Sequence, residues 1–265
     1  MSKGNLGAAL VTGASSGIGA TYADRLAKRG YDLILVARDL GRLNEMSARL
    51  SAEQGVKVEA LQADLTVAED VRKVEKRLRE DAAITLVVNN AGIGPSAKLL
   101  DSDPDYLERM IALNVTALNR LTVAAAQTFV PRGKGAIVNV ASVVAIVPEL
   151  FNGTYSATKG FVLSLTQSLN AELAGKGVQI QAVLPGLTRT EIFERAGGSV
   201  ENLDPKMVME VADMVDAALA GFDQGELITI PSLPDAADWQ AFDAARGALG
   251  PNLSHDKPAA RYGVR

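Results

Sequence analysis

The sequence contains no cysteine, which excludes disulfides, thiolate catalysis and sulfur-ligated metal. It contains one histidine, His255, in the polar, proline-bearing tail PNLSHDKPAAR (251–261). Imidazole is the usual general base near neutral pH, so acid/base chemistry elsewhere falls to Tyr, Lys, Asp or Glu. No stretch approaches the roughly 20 uninterrupted apolar residues of a membrane span. The opening MSKGNLGAALVTGAS has too short an apolar run for a signal peptide. A basic excess is missing too: the formal net charge is −4 and the pI is near 5.2, no footprint for nucleic acid. Basic runs such as RKVEKRLRE (72–80) are mixed with acids and read as a solvated helix face. These absences point to a cytoplasmic protein that binds neither membrane nor nucleic acid and needs no metal.

What is present is a chain of 265 residues, 48% of them hydrophobic, enough for one large domain or two small ones with a sizeable core. Short apolar runs alternate with longer amphipathic segments. Strands are expected at Ala8–Val11, Asp32–Ala37, Val56–Leu61, Ile84–Asn89, Ala136–Ala141, Val178–Leu184 and Leu227–Ile230. Helices are expected at about 17–29, 39–54, 67–81, 104–130, 154–175 and 206–221, with Gly30, Gly55 and Gly177 at stopping points. Apolar, β-branched strands alternating with helices imply an α/β fold: a single doubly wound Rossmann-type domain, its mostly parallel seven-stranded sheet covered by helices on both faces. That domain spans residues 1–230. Residues 187–205 are Gly-bearing and weakly periodic, as a lid would be, and 231–265 form a Pro-punctuated C-terminal extension holding the sole tryptophan, Trp239.

Directly after the first strand comes Thr12-Gly13-Ala14-Ser15-Ser16-Gly17-Ile18-Gly19, leading into a helix. Glycines there let backbone approach a pyrophosphate, which the helix N-terminus stabilises. The spacing is G-x3-G-x-G rather than G-x-G-x-x-G, and a tight turn with close packing explains three glycines as well. Gly13–Gly17 also satisfies G-x-S-x-G, the nucleophile elbow of an α/β serine hydrolase using Ser15. That chemistry needs a downstream histidine, and only His255 is available. The second strand ends in Ala37-Arg38-Asp39. Ala37 stands where an acid would bind the adenosine ribose of NAD, and Arg38 suits the 2′-phosphate of NADP(H). NADP(H) is favoured over NAD(H). Asp39 is either a helix N-cap or a ribose ligand.

Tyr155-Ser156-Ala157-Thr158-Lys159 opens a helix, and positions i and i+4 share a face. The ammonium therefore lies close to the phenol, where a positive charge lowers the phenol pKa. Ser142 follows the fifth strand, whose carboxyl end is where ligands bind in such sheets. Singly, each is a surface side chain as readily as a catalytic one; their joint placement and the missing histidine favour catalysis.

The pieces TGASSGIG (12–19), Asp64-Leu65, NNAG (89–92), Asn114, Ser142, YSATK (155–159) and Pro185-Gly186 with Thr190 occur in one order. Together, over residues 8 to about 192, they resemble the short-chain dehydrogenase/reductase family. The resemblance implies an oxidoreductase transferring hydride between NADP(H) and a carbonyl/alcohol substrate. Tyr155 would be the proton donor or acceptor, Lys159 would lower its pKa and hold ribose hydroxyls, and Ser142 would orient the substrate oxygen. Asn114 would hold water at a backbone kink. Gly13, Ser15, Ser16, Gly17, Ile18 and Gly19 would line the cofactor together with Arg38. Asp64 would meet the adenine amino group and Leu65 the ring; Asn90 would brace the central strand, with Ala91 and Gly92 beside the ribose. Pro185, Gly186 and either Thr188 or Thr190 would place the carboxamide. NADP-preferring members often carry a second basic residue where this chain has Ser16, so phosphate recognition leans on Arg38. Members usually pair through their two long helices, here 104–130 and 154–175, into homodimers or homotetramers; Phe161, Leu165 and Leu169 are candidates for that contact or for the core.

A non-catalytic nucleotide sensor is the alternative function, and retention of Tyr155 and Lys159 weighs against it. The substrate wall falls to Val143–Gly153 and Ile192–Pro205, with Val144, Leu150, Ile192 and Phe193 as contacts beside Ser142 and Tyr155. Such residues suit an apolar or partly apolar small molecule, or pack the lid shut. Arg189 and Arg195 are either anion ligands or solvated.

Overall fold

The structure is a computed structural model describing residues 6–190 and 203–264. The chain divides into two compact units at Pro231–Ser232. In the first, the strands β1 (Ala8–Thr12), β2 (Asp32–Ala37), β3 (Val58–Gln62), β4 (Ile84–Asn89), β5 (Gly135–Val140), β6 (Val178–Val183) and β7 (Ile228–Thr229) form one sheet in the order β3-β2-β1-β4-β5-β6-β7. Every strand pairing is parallel. Order reverses between β1 and β4, which opens a crevice beyond their carboxyl ends.

Side-chain alternation along the strands feeds two apolar layers. On β1, Ala9 and Val11 join Tyr22, Leu26, Leu43 and Met214 on one face, while Ala8 and Leu10 join Val74, Leu78, Leu121 and Phe129 on the other. Both faces are thus covered, as parallel sheets require. The covering helices are α1 (Gly17–Arg29), α2 (Leu40–Gln54), α3 (Ala68–Glu80), α4 (Pro104–Ile111), α5 (Leu118–Phe129), α6 (Gly153–Leu173) and α7 (Val211–Asp223). Helix α1 stops at Gly30, whose φ of 97° lets its N–H return to the Ala27 and Leu26 carbonyls.

The long helix expected at 104–130 is interrupted: residues Ala112–Ala117 are π-helical between α4 and α5. The helix expected from 206 begins at Val211, because Pro205–Met207 form a 3-10 turn and Met209 bridges to Thr188. Helix α6 ends at Leu173, four residues before Gly177, whose missing side chain admits the Gly133 carbonyl instead. The second unit holds a helix that composition alone did not suggest, α8 (Ala236–Ala248), capped by Asp235.

Candidate active site

The glycine turn is shaped by close backbone approach. A Cβ on Gly19 would lie 2.3 Å from the Gly13 carbonyl and 2.5 Å from Asn90 Nδ2, and Gly13 itself has φ +65°. Asn90 explains this crowding: its Nδ2 donates to the carbonyls of Thr12 (3.0 Å) and Gly13 (3.3 Å), tying the end of β4 to the end of β1. The buried Thr12 hydroxyl accepts from the backbone N–H of both Asn90 and Ala91, each at 3.0 Å. Thr12 carried no role in the sequence reading beyond opening the turn. Ser16 caps α1 with its backbone extended and makes no side-chain cap bond. Ile18 packs against the core and Ser15 is half-buried. The only histidine, His255, belongs to the second unit and is exposed.

Asp39 resolves as the α2 N-cap, accepting from the Arg42 N–H at 3.0 Å. Arg38 is exposed at the end of β2, and its guanidinium pairs with no acid among the described residues. Asp64 accepts from the Thr66 N–H (2.9 Å) and hydroxyl (2.7 Å). Leu65 is buried in the layer containing Val71 and Val74, so its side chain is committed to the core.

Around the tyrosine, the geometry is dense. Asn152 caps α6, accepting from the Thr154 and Tyr155 N–H groups at 3.0 and 3.2 Å, while its Nδ2 donates to the Ala97 carbonyl at 3.0 Å. An Asn directly before an expected helix is a cap signal that the sequence reading did not use. Tyr155 is half-buried, its ring 5.5 Å from Phe151 in an edge-on contact. The Ser142 hydroxyl donates to the Pro185 carbonyl at 3.3 Å, joining the ends of β5 and β6. Lys159 is buried, donates to the Val140 carbonyl at 3.0 Å, and sits 5.7 Å from the Tyr155 ring centroid.

Electrostatics here depart from the sequence expectation. Desolvation pushes the Tyr155 phenol up to about 12, the Ser142 hydrogen bond only partly opposing it, and lowers Lys159 to about 8. Burial penalises the charged form of each group, and the Lys159 ammonium, donating to a backbone carbonyl, lies over the Tyr155 ring.

Asn114, at the π-helical turn, is buried. Its Oδ1 accepts from the Ile93 N–H and its Nδ2 donates to the Ile93 carbonyl, both at 2.9 Å; Nδ2 also lies 3.3 Å from Thr158 Oγ1. Thr158 donates to the Tyr155 carbonyl at 2.7 Å, so one buried hydroxyl links the π-turn to the tyrosine's own helix turn. Gly92 lies against Asn114, where a Cβ would be 3.1 Å from Oδ1.

The two threonines part company. Thr188 is buried with its hydroxyl on the Gly186 carbonyl at 3.2 Å, whereas the Thr190 methyl lies 3.5 Å from where Gly17 would carry a Cβ. Thr190 therefore flanks the glycine turn. Arg189 is ion-paired with Glu210 at 2.8 Å. Val144 is half-buried and Leu150 is 72% exposed. Ile192, Phe193 and Arg195, with most of the 187–205 segment, lie outside the described residues. Among the described residues, no group of three or more His, Cys, Asp or Glu could hold a metal, and no helix is long and apolar enough to cross a membrane.

Residues 7–199 match the family described as short chain dehydrogenase. An uncharacterized oxidoreductase of Staphylococcus saprophyticus is 35% identical over 206 residues, 77% of this chain and 88% of that one. Among solved structures, a short-chain dehydrogenase from Sphingobium yanoikuyae in complex with NADPH is 54% identical, with a TM-score of 0.93 over 96% of this chain and 98% of that one. The bulky-bulky ketone specific alcohol dehydrogenase from Comamonas testosteroni, in an orthorhombic crystal, is 47% identical, with a TM-score of 0.90 over 97% of this chain and 99% of that one. Its tetragonal crystal form gives 46% and 0.87 over the same shares.

Proposed function

The chain belongs to the short-chain dehydrogenase/reductase family, and we propose that Tyr155, Lys159, Ser142 and Asn114 are the groups through which it works. It is an NADP(H)-dependent oxidoreductase acting on a carbonyl/alcohol couple. The observation that carries the assignment of residues is that Lys159, bound to the Val140 carbonyl at the end of β5, lies over the Tyr155 ring at 5.7 Å, with Ser142 two residues beyond that strand end.

The residues present fit the cofactor. The turn between Gly13 and Gly19 brings backbone to the start of α1, where a helix N-terminus favours a pyrophosphate, and Arg38, exposed and without an acid partner among the described residues, suits a 2′-phosphate. Gly17, Ile18, Ala91, Gly92, Pro185, Gly186 and Thr190 complete the cradle around the strand ends. Bound NADPH supplies the hydride. Tyr155 Oη holds the proton that passes to the carbonyl oxygen, and a phenol kept neutral by burial is in the right state to give it. Ser142 orients that oxygen through its hydroxyl, which the Pro185 carbonyl holds at the strand end. Lys159 places a positive charge beside the tyrosine when its proton leaves. Asn114, committed to Ile93 and Thr158, holds the π-turn against α6.

The substrate we assign is a ketone with large apolar substituents. The 143–151 segment carries Val144, Ile146, Leu150 and Phe151, the last edge-on to the Tyr155 ring, and the Comamonas enzyme is specific for bulky-bulky ketones. A homo-oligomer belongs to the same proposal: Ile111, Val123 and Phe161 are exposed apolar side chains on the long helices, whereas Leu169 packs into the core.

Tyr155→Phe is the test. It should reduce NADPH-dependent turnover of a bulky ketone by at least about a hundredfold, the lower range for a general acid, with NADPH binding unchanged. Retained turnover would overturn the assignment.

A further inference from the structure

Four polar side chains meet in the interior between the sheet and its helices: Asn89 at the end of β4, Thr122 on α5, Asn139 on β5 and Thr166 on α6. All four are buried. Their strand neighbours Val87, Val88, Ile137, Val138 and Val140 are apolar and buried too. Asn89 and Asn139, register partners across β4 and β5, therefore interrupt an apolar layer. Asn139 uses both ends of its amide. Its Oδ1 accepts from Asn89 Nδ2 at 3.0 Å and from the Thr122 hydroxyl at 3.1 Å, while its Nδ2 donates to the Thr166 hydroxyl at 3.0 Å. Thr166 passes its own hydrogen to the Val162 carbonyl at 2.9 Å, and Thr122 accepts from Asn89 Nδ2 at 3.1 Å. One side chain on β5 thus grips β4, α5 and α6.

A buried amide costs stability unless it is hydrogen-bonded, and such bonds contribute little net stability. What they add is direction, because a hydrogen bond weakens steeply when its partner turns or slides. Here the direction is given to the helix face that carries the reacting groups. Tyr155, Lys159, Val162 and Thr166 follow one another at spacings of four, three and four, along one side of α6. Lys159 donates to the carbonyl of Val140, the residue after Asn139 on β5. Thr122 and Thr166 stand eight residues beyond Asn114 and Thr158, which bond each other at 3.3 Å. Helices α5 and α6 are therefore tied at two levels, one at the Tyr155 turn and one about two helical turns further along.

We propose that Asn139, acting with Thr122 and Thr166, is a positioning residue: it sets the rotation and height of α6 on β5, and so the aim of Lys159 and Tyr155. The proposal rests on Tyr155 and Lys159 being the groups that react. Because the cofactor cradle stands on strand ends, loosening this tie should fall on turnover and not on NADPH.

Thr166→Val keeps the side chain's shape and removes the hydroxyl that Asn139 holds. Steady-state kinetics of the full-length enzyme, with NADPH and whichever bulky ketone the wild type reduces fastest, are compared with urea unfolding of the same proteins. In Thr166→Val kcat should fall about fivefold, the loss of one hydrogen bond's positioning, with KM for NADPH unchanged. Thr166→Ser should keep the wild-type rate. Ile137→Val, which removes a methyl group from the same layer without touching a polar group, should lose stability but not kcat. A wild-type kcat in Thr166→Val, equal losses in the Val and Ser variants, or an equal kcat loss in Ile137→Val overturns the proposal. Should Thr166→Val fail to fold, Thr122→Val is read by the same criteria from the α5 side. Turnover lost in Tyr155→Phe but intact in Thr166→Val overturns the positioning role alone; turnover retained in Tyr155→Phe overturns the reading beneath it.

Discussion

Replacing Lys159 by Met should abolish turnover and, near neutral pH, stabilise the fold. The ammonium is buried, its hydrogen-bond acceptor is the Val140 carbonyl at 3.0 Å, and it forms no ion pair among the described residues. Burial lowers its pKa to about 8 from 10.5. A base with a depressed folded pKa binds fewer protons folded than unfolded, so stability falls as pH drops from 10.5 toward 8 and the penalty is complete below that. The gap corresponds to about 3 kcal/mol. Methionine keeps the aliphatic bulk but leaves the Val140 carbonyl without its donor, costing about 1 kcal/mol. The variant should therefore be more stable than wild type by about 2 kcal/mol at pH 7, with the advantage gone near pH 10. Tyr155, raised to about 12 from 10.0, loses stability in the opposite direction above pH 10, in both proteins alike. Urea unfolding of the cofactor-free proteins at pH 7, 8.5 and 10 measures the difference. An advantage that does not shrink with pH, or a variant less stable at pH 7, refutes the reasoning.

Two further outcomes are expected. Thr158→Val removes the hydroxyl joining Asn114 to the Tyr155 carbonyl; kcat should fall about fivefold, from about 1 kcal/mol of lost positioning, with KM for NADPH unchanged and Thr158→Ser restoring the rate. Equal losses in Val and Ser variants would count against the link. Arg38→Ser should raise KM for NADPH by about tenfold to a hundredfold, the range of a charge-assisted contact worth 1.5–3 kcal/mol, while KM for NADH stays within about twofold by the same reasoning. Parallel losses with both cofactors would mean Arg38 does not read the phosphate.

The sheet was legible because each strand is a compact apolar run bounded by turn residues. What periodicity could not place was set by tertiary contacts. Val56 and Val58 both suit the start of β3, but pairing with Leu33 begins at Val58. The π-turn leaves no trace in ALNVTA, since an extra residue per turn does not change which residues are apolar; the Asn114 clamp on Ile93 marks it. Helix α8 was missed because its apolar residues are sparse and prolines flank it on both sides.

In the site, residue types and spacing located Tyr155, Lys159 and Ser142, but their electrostatics follow from burial, which no spacing reveals. Likewise position alone does not reveal that Asp39 caps α2 and that Leu65 packs into the core. The expected positions that gather at one edge of the sheet share one cause. In a parallel sheet every crossover returns the chain to the same edge, so residues just after successive strands meet in space although far apart in sequence. Gly13, Arg38, Asn90, Ser142 and Pro185 each follow a strand. Asn114 and Tyr155 do not; they reach that edge from helices. Their placement therefore depends on fixed helix turns, and the Asn152 cap and the Thr158 bridge supply that fixing. By this argument, substitutions that loosen Asn152 or Thr158 should disturb turnover before they disturb cofactor binding, because the cradle stands on strands and the acid on a helix.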